Sequence, residues 1–205
     1  MLRWHDQTFE MLDRALFWTD EGAIVVADVH LGKEATFASR GIPVPDALDH
    51  DLGRLTSLVE SRGAASLIIL GDLWHAPAGC TPDVLDRLRR FRDDLDVRLG
   101  ATIRAVRGNH DRRIVPVLEM PERLEIRGIE LVHDPEDRTR AALAGHVHPV
   151  ARLSGSMSAV RAPCFWVRPD CIVLPAFGTF TGGRTIRPAP EDEVYLVDAC
   201  RQPST

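Results

Sequence analysis

The spacing of apolar positions changes partway along the chain. Residues 8–12 and 15–19 pattern as an antiparallel hairpin leading into an extended run, 23–30, rich in Ile and Val. Leu48, Leu52, Leu55 and Val59 then recur at helical spacing, and Pro45 suits the first turn of a helix over about 45–61. The short apolar run 66–72 reads as a buried strand. A second amphipathic helix is predicted over about 82–95, with Val84, Leu85, Leu88, Phe91 and Leu95 on one face. A third strand over 101–108 precedes another short helix. Beyond residue 120 only short strands are predicted, at 123–126, 129–133, 141–145, 158–162, 164–167, 171–177 and 193–197. Strands alternating with helices, followed by a run of strands, predict an α/β fold: a layered sandwich of mixed β-sheets flanked by helices. No repeat, low-complexity run or Ser/Gly linker interrupts it, so a single domain over 1–205 is expected.

Polar residues with metal-binding chemistry stand at the ends of these strands. The first ends in Asp28-Val29-His30, and the period of two in an extended chain puts both side chains on one side. The second ends in Gly71-Asp72 and the third in Gly108-Asn109-His110-Asp111. Later strands end in His133 and in Gly145-His146-Val147-His148. Ligands of open α/β sheets bind outside the carboxyl edge. Each motif alone is weak, but six of the eight histidines lie at or beside these motifs, and only His5 and His50 fall away from them as surface residues. Two carboxylates, one amide oxygen and four imidazoles form a mixed N/O set suited to Mn, Fe, Zn or Co, with Mn foremost, rather than Ca. Two divalent ions carry four positive charges against two from Asp28 and Asp72, so the expected centre attracts phosphate. Ions about 3.5–4 Å apart would hold the phosphate oxygens and turn a bridging water into a hydroxide nucleophile.

Composition narrows the setting. The N-terminal residues lack an uninterrupted apolar stretch, and no run reaches the length of a membrane span, so a cytoplasmic protein is expected. Cys80, Cys164, Cys171 and Cys200 show no paired spacing and are read as free thiols. The net charge of −5 argues against tight non-specific DNA binding, though not against a local basic rim.

Taken together, the D-x-H, G-D, G-N-H-D, H and G-H-x-H motifs resemble those of the calcineurin-like metallophosphoesterase superfamily, over about residues 23–178. The resemblance implies Asp28, His30 and His148 on one ion and Asn109, His133 and His146 on a second, with Asp72 bridging. It makes His110 the catalytic histidine at the leaving oxygen, while Asp111 closes the motif and fixes its turn.

The stretch Gly71-Asp72-Leu73-Trp74-His75 departs from the GDxxD of the superfamily's phosphatases and is similar to the GDxxH of its repair nucleases. It places His75 where it could partner His110. The interval between Asp111 and His133 is too short for the helical cap of relatives acting on lipid-linked nucleotides, so an open cleft is expected. Lys33 and Arg112, with Arg40, Arg107, Arg113 and Arg184, are candidates for contacting substrate phosphates. The segments 30–37, 41–45, 107–113, 163–167 and 174–184 resemble the ligase-associated DNA-damage-response endonucleases called PdeM. That implies DNA as substrate and association with an ATP-dependent DNA ligase and helicase system. Gly178, Gly182 and Gly183 would permit a tight loop near the metals, and Phe177 or Phe180 could stack on a base. The expected activity is thus a phosphodiesterase or endonuclease of DNA repair. A small-molecule phosphoesterase acting on a nucleotide, cyclic nucleotide or nucleotide-linked lipid is the alternative.

Overall fold

Along two adjacent strands, successive apolar side chains part to opposite sides, and each side has its own core. In a computed structural model, described for residues 1–38, 41–42, 45, 47–114, 118–154, 159–179 and 181–197, a first sheet holds six strands. They are β1 (Leu2–Trp4), β2 (Gln7–Leu12), β3 (Ala15–Trp18), β4 (Ala23–Val26), β5 (Ser66–Leu70) and β6 (Thr102–Val106), in that spatial order. The first four run antiparallel, whereas β4, β5 and β6 are parallel. Ile24, Val26, Leu67 and Ile69 pack on one side against Leu52, Leu55, Val59, Leu88 and Leu95 of two helices. Val25, Ile68 and Leu70 face the other way, onto Leu131, Leu143, Phe165 and Ile172 of the second sheet. Burial of both faces explains why 66–70 carries an unbroken apolar run.

The second sheet contains β7 (Arg123–Ile126), β8 (Ile129–Val132), β9 (Ala142–Ala144), β10 (Pro149–Ser154), β11 (Ala159–Val167), β12 (Cys171–Val173), β13 (Arg184–Thr185) and β14 (Glu193–Leu196). Its order is β13-β10-β11-β12-β9-β8-β7, with β14 on β11, and the β8–β9, β9–β12 and β10–β13 pairs are parallel. The fold is therefore a layered α/β sandwich of two mixed sheets. The helices are α1 (Lys33–Ala38), α2 (Leu48–Arg62) and α3 (Pro82–Leu99). Thr81 caps α3 by accepting a hydrogen bond from the Val84 N–H, Pro82 opens it, and left-handed Gly100 closes it. No helix among the described residues is long and apolar enough to cross a membrane.

Several boundaries differ from the sequence reading. The expected strands 158–162 and 164–167 form one strand, β11, and Pro163 marks where its pairing passes from β10 to β14. The strands β1, β10 and β13, and the short helix α1, have too little apolar periodicity to announce themselves. Helix α2 begins at Leu48 rather than Pro45. Cys164 and Cys171 are buried free thiols and Cys80 is a half-buried one, while His5 and His50 are exposed. Arg40, Phe180, Cys200 and parts of 41–45 lie outside the described residues.

The chain after β12 is tied back to the first sheet and to α2. Phe177 N–H donates to the Ala27 carbonyl at 2.9 Å and Gly178 N–H to the Asp28 carbonyl at 3.2 Å. The Asp51 carboxylate of α2, buried at 4 % exposure, accepts the Thr179 N–H at 2.8 Å and hydroxyl at 2.6 Å. Arg54 bonds Asp51 at 3.1 Å and the Phe177 carbonyl at 3.1 Å, and its guanidinium lies over the Phe177 ring. Removing a buried carboxylate strands its donors. Asp51→Ala is expected to destabilise the protein by about 3 kcal/mol, read from urea unfolding of the metal-free chain, and an undiminished midpoint would refute this accounting.

Candidate metal centre

Because β4, β5 and β6 are parallel and in register, their carboxyl ends reach the same edge of the first sheet. Asp28, Asp72 and Asn109 follow within three residues of those ends. In the second sheet β8 and β9 are parallel too, and His133, His146 and His148 follow them. Packing the two sheets face to face brings these edges together.

The extended geometry expected for residues 28–30 does not persist. Strand β4 ends at Val26, and Asp28 (φ 54°) and His30 (φ 53°) adopt left-handed backbone. Asp72 (φ 49°), His146 (φ 67°) and His148 (φ 48°) do likewise. A straight strand would carry these side chains past the centre, whereas left-handed turns fold them inward. Such conformations are uncommon outside glycine and persist where surrounding bonds over-determine them. Those bonds are present: Asp28 N–H donates to the Gly71 carbonyl at 3.2 Å and His30 N–H to the Asp72 carbonyl at 2.9 Å. The carboxylates contribute as well, since Asp28 accepts the His146 N–H at 2.9 Å and Asp72 the His110 N–H at 2.9 Å. At Gly108 a Cβ would collide with the Asp72 backbone nitrogen and carboxylate, so only glycine permits this approach.

Two groups of donor atoms result. Asp28, His30 and His148 form one, with His148 Nε2 3.3 Å from Asp28 Oδ1 and 3.4 Å from His30 Nε2. Asp72, His133 and His146 form the other, joined by Asn109. There Asn109 Oδ1 lies 2.9 Å from His133 Nε2 and 3.1 Å from His146 Nδ1, and those two nitrogens are 3.1 Å apart. Asp72 Oδ2 stands between the groups, 3.4 Å from His133 Nε2 and 4.0 Å from His30 Nε2. A third group, His30, His75 and His110, adjoins the first.

The donor set fits a divalent ion on geometry alone. Ligands held about 2.1 Å from one ion stand roughly 3.0–3.4 Å apart, the spacing found here. The imidazoles are also oriented for it. His133 Nδ1–H donates to the Leu70 carbonyl at 3.0 Å and His148 Nδ1–H to the Gly182 carbonyl at 3.1 Å, leaving each Nε2 lone pair inward. His146 turns Nδ1 inward and places Nε2 3.6 Å from Asp134. Lone pairs facing lone pairs and an amide oxygen repel unless a cation lies among them.

Without a cation, protons take its place. Burial pulls His133 down, but its hydrogen bond to Asp72 and the charges of Asp28 and Asp72 outweigh that and raise it to about 9. His148 is raised too, because burial is outweighed by the Asp28 hydrogen bond and charge. Burial lowers His30 to about 4 against the pull of Asp28 and Asp72. Asp72 stays below the usual carboxylate range, since His133 and the His110 N–H offset its burial.

His110 sits at the edge of this cluster with Nε2 3.8 Å from Asp72 Oδ2. Its Nδ1–H donates at 2.6 Å to the main-chain carbonyl of His75, not to that residue's imidazole. The two rings stack at 5.9 Å, and Phe37 also stacks on His75, at 6.1 Å. Buried Asp111 accepts the Gly108 N–H at 2.8 Å and the Trp74 N–H at 3.1 Å, tying the loops after β6 and β5 together. Lys33 is half-buried on α1 and Arg112 is exposed beside His110. Between Asp111 and His133 the described residues form a short 3-10 turn, β7 and β8. Gly178 abuts the Val29 carbonyl, and Gly183 abuts Val150 and the His148 carbonyl. Phe177 is buried in the core beneath α2, which removes it as a base-stacking surface. Asp134 went unnoticed in the sequence, although its place directly after His133 was a usable signal.

Among solved structures, the chain is similar to the Pseudomonas putida nuclease MPE, with 34% identity over 96% of this chain and 95% of that one, and a TM-score of 0.80. It also matches YfcE, a phosphoesterase from E. coli, at 20% identity over 75% of this chain and 77% of that one, with a TM-score of 0.42. No family model matches the chain, and neither does any curated protein.

Since His133 keeps its proton up to about pH 9 in the metal-free chain, an incoming ion must displace it. The apparent Kd for Mn²⁺ is expected to fall as pH rises from 6.5 to 8.5, with proton release visible in calorimetry across buffers of different ionisation enthalpy. The metal-free fold shows the opposite sign at this residue: the stabilisation is complete below pH 6.5 and fades as pH climbs through 9. A Kd independent of pH would contradict this proton competition.

Proposed function

The chain belongs to the calcineurin-like metallophosphoesterase family, and from that premise we propose that it is a two-metal phosphodiesterase cutting DNA strands in repair. Asp28, His30 and His148 would hold one ion and Asn109, His133 and His146 the other, with Asp72 shared between them and Mn²⁺ the foremost occupant. The observation that carries the reading is the pair of donor groups meeting at the Asp72 carboxylate. The nuclease relative supports a nucleic-acid substrate. The GDxxH stretch and the PdeM-like segments support repair, and with it association with a DNA ligase and helicase system.

When bound, the two ions supply positive charge to the phosphate oxygens and acidify a water for in-line attack. The chain's own groups do the rest. His110, held by its Nδ1–H bond to the His75 carbonyl, presents Nε2 toward the phosphate. In its cationic form it gives the Nε2 proton to the leaving oxygen as the phosphorus–oxygen bond breaks. His75 is a positioning residue, since its ring, stacked on Phe37 and on His110, sets the plane of His110. Lys33 and Arg112 contact phosphates on either side.

A small-molecule phosphoesterase is the second reading, favoured by the net charge of −5. Turnover of single-stranded DNA, cyclic nucleotides and phosphomonoesters under Mn²⁺ separates the two, and DNA is expected to lead. Asp72→Ala should abolish turnover of every substrate. His110→Ala should lower DNA cleavage by about 100-fold or more, with a smaller loss on bis(p-nitrophenyl) phosphate, whose leaving group departs without a proton. His75→Ala, which keeps the carbonyl and loses the ring, should cost about tenfold on DNA. Equal losses on both substrates in His110→Ala would refute the proton-donor role.

A further inference from the structure

On the loops that carry His75 and His110, a cleft of about 240 Å³ is lined by Trp74, Arg107, Asp111, Arg112, Ile114 and Met120. We propose that it is a subsite for a second phosphate of a polynucleotide, the one next to the phosphate being cut, with the adjoining sugar or base on its apolar floor. The proposal rests on the nuclease reading above.

Four observations converge on it. First, the cleft is built on the same two loops as the centre, because Asp111 and Arg112 directly follow His110 and Trp74 directly precedes His75. Second, its walls are fixed. Arg107 N–H donates to the Pro121 carbonyl at 2.8 Å, and Asp111 receives the Trp74 and Gly108 N–H groups. The Asp111 carboxylate is thereby engaged by main-chain donors. Third, its rim is cationic and already holds an oxyanion. The Glu122 carboxylate lies 3.4 Å from the Arg107 guanidinium and 4.0 Å from that of Arg112. One carboxylate thus serves two guanidiniums at the exposed rim, while the Asp111 carboxylate, buried in the wall and bonded to main-chain N–H groups, brings the whole lining to neutrality. Both pairs are solvent-exposed, and such pairs are weak, whereas guanidinium binds phosphate through two parallel hydrogen bonds. Fourth, Trp74, Ile114 and Met120 give the floor an apolar character. An anionic rim ligand joined to an apolar body describes a nucleotide unit better than a free inorganic anion.

On this view Glu122 is a stand-in that a backbone phosphate displaces. The test compares kcat/KM under Mn²⁺ for deoxythymidine dinucleotide, which has one phosphate, and trinucleotide, which has two, with bis(p-nitrophenyl) phosphate as reference. Wild type should prefer the trinucleotide. Arg107→Ala should lose about tenfold or more on the trinucleotide relative to the reference, and its salt dependence on longer strands should be shallower by about one unit. Glu122→Gln should act in the opposite direction and raise trinucleotide turnover. A change of equal proportion on all substrates in Arg107→Ala, or a general loss in Glu122→Gln, would show a structural role and overturn the proposal. Competition by thymidine monophosphate that disappears in Arg107→Ala, without any trinucleotide preference, would assign the cleft to mononucleotides and overturn it equally. A wild type that cuts the reference but neither oligonucleotide would instead sink the nuclease reading itself.

Discussion

Across the apolar interface of the two sheets, the buried Asp72 carboxylate is where the donor groups of the two edges meet. Asp72 leaves β5 on a left-handed turn, accepts the backbone N–H of His110 from the first sheet and faces His133 of the second. It is nearly inaccessible to solvent, at 2 % exposure, so its charge is unscreened and strongly felt by each imidazole around it. Desolvating a carboxylate is costly unless cations or strong donors answer it. Here the answer comes from His133 and from the His110 N–H, carried on the edges of the two different sheets.

What brings those segments within reach is strand register. The parallel strands β4, β5 and β6 end together, as do β8 and β9 in the facing sheet. The apolar alternation that packs the sheets therefore also aims their carboxyl edges at a common point. The stretch after β12 then locks the first edge from outside, running alongside Ala27 and Asp28 and fastening to Asp51 and Arg54 of α2. Through Gly182, the same stretch also orients His148. Helix α2, which contributes no donor atom of its own, thus participates in the geometry of the centre.

Much of this could be read from the chain because the periodicity and the polar strand ends are local signals. The apolar runs of β4 and β5, the spacing of Leu52, Leu55 and Val59, and the histidine doublet His146/His148 all carry their meaning within a few residues. What escaped depends on distant contacts. The short strand β1 gains its place by pairing with β2, and β13 pairs with β10 across the 29 residues between Ser154 and Arg184, a pairing that no periodicity foretells. The left-handed turns at Asp28 and His30 fall where the pattern predicts strand, because Ala-Asp-Val-His has no glycine to announce a turn. The link between His75 and His110 was visible as proximity, yet its form, a main-chain carbonyl plus stacked rings, arises only once the loops are packed.

The partners that orient the imidazoles have a bearing on how the protein varies over time. His110, His133 and His148 each lean on a main-chain carbonyl, a group that every amino acid provides. Drift at positions 75, 70 or 182 therefore leaves the orienting oxygen in place as long as the backbone path survives. His146 differs, since its outer nitrogen faces the side chain of Asp134. Among the described contacts, that carboxylate is where a single heritable change can alter the surroundings of a donor ring without touching the donors themselves. Selection on metal preference has a narrow entrance there, while the rest of the centre is buffered against it.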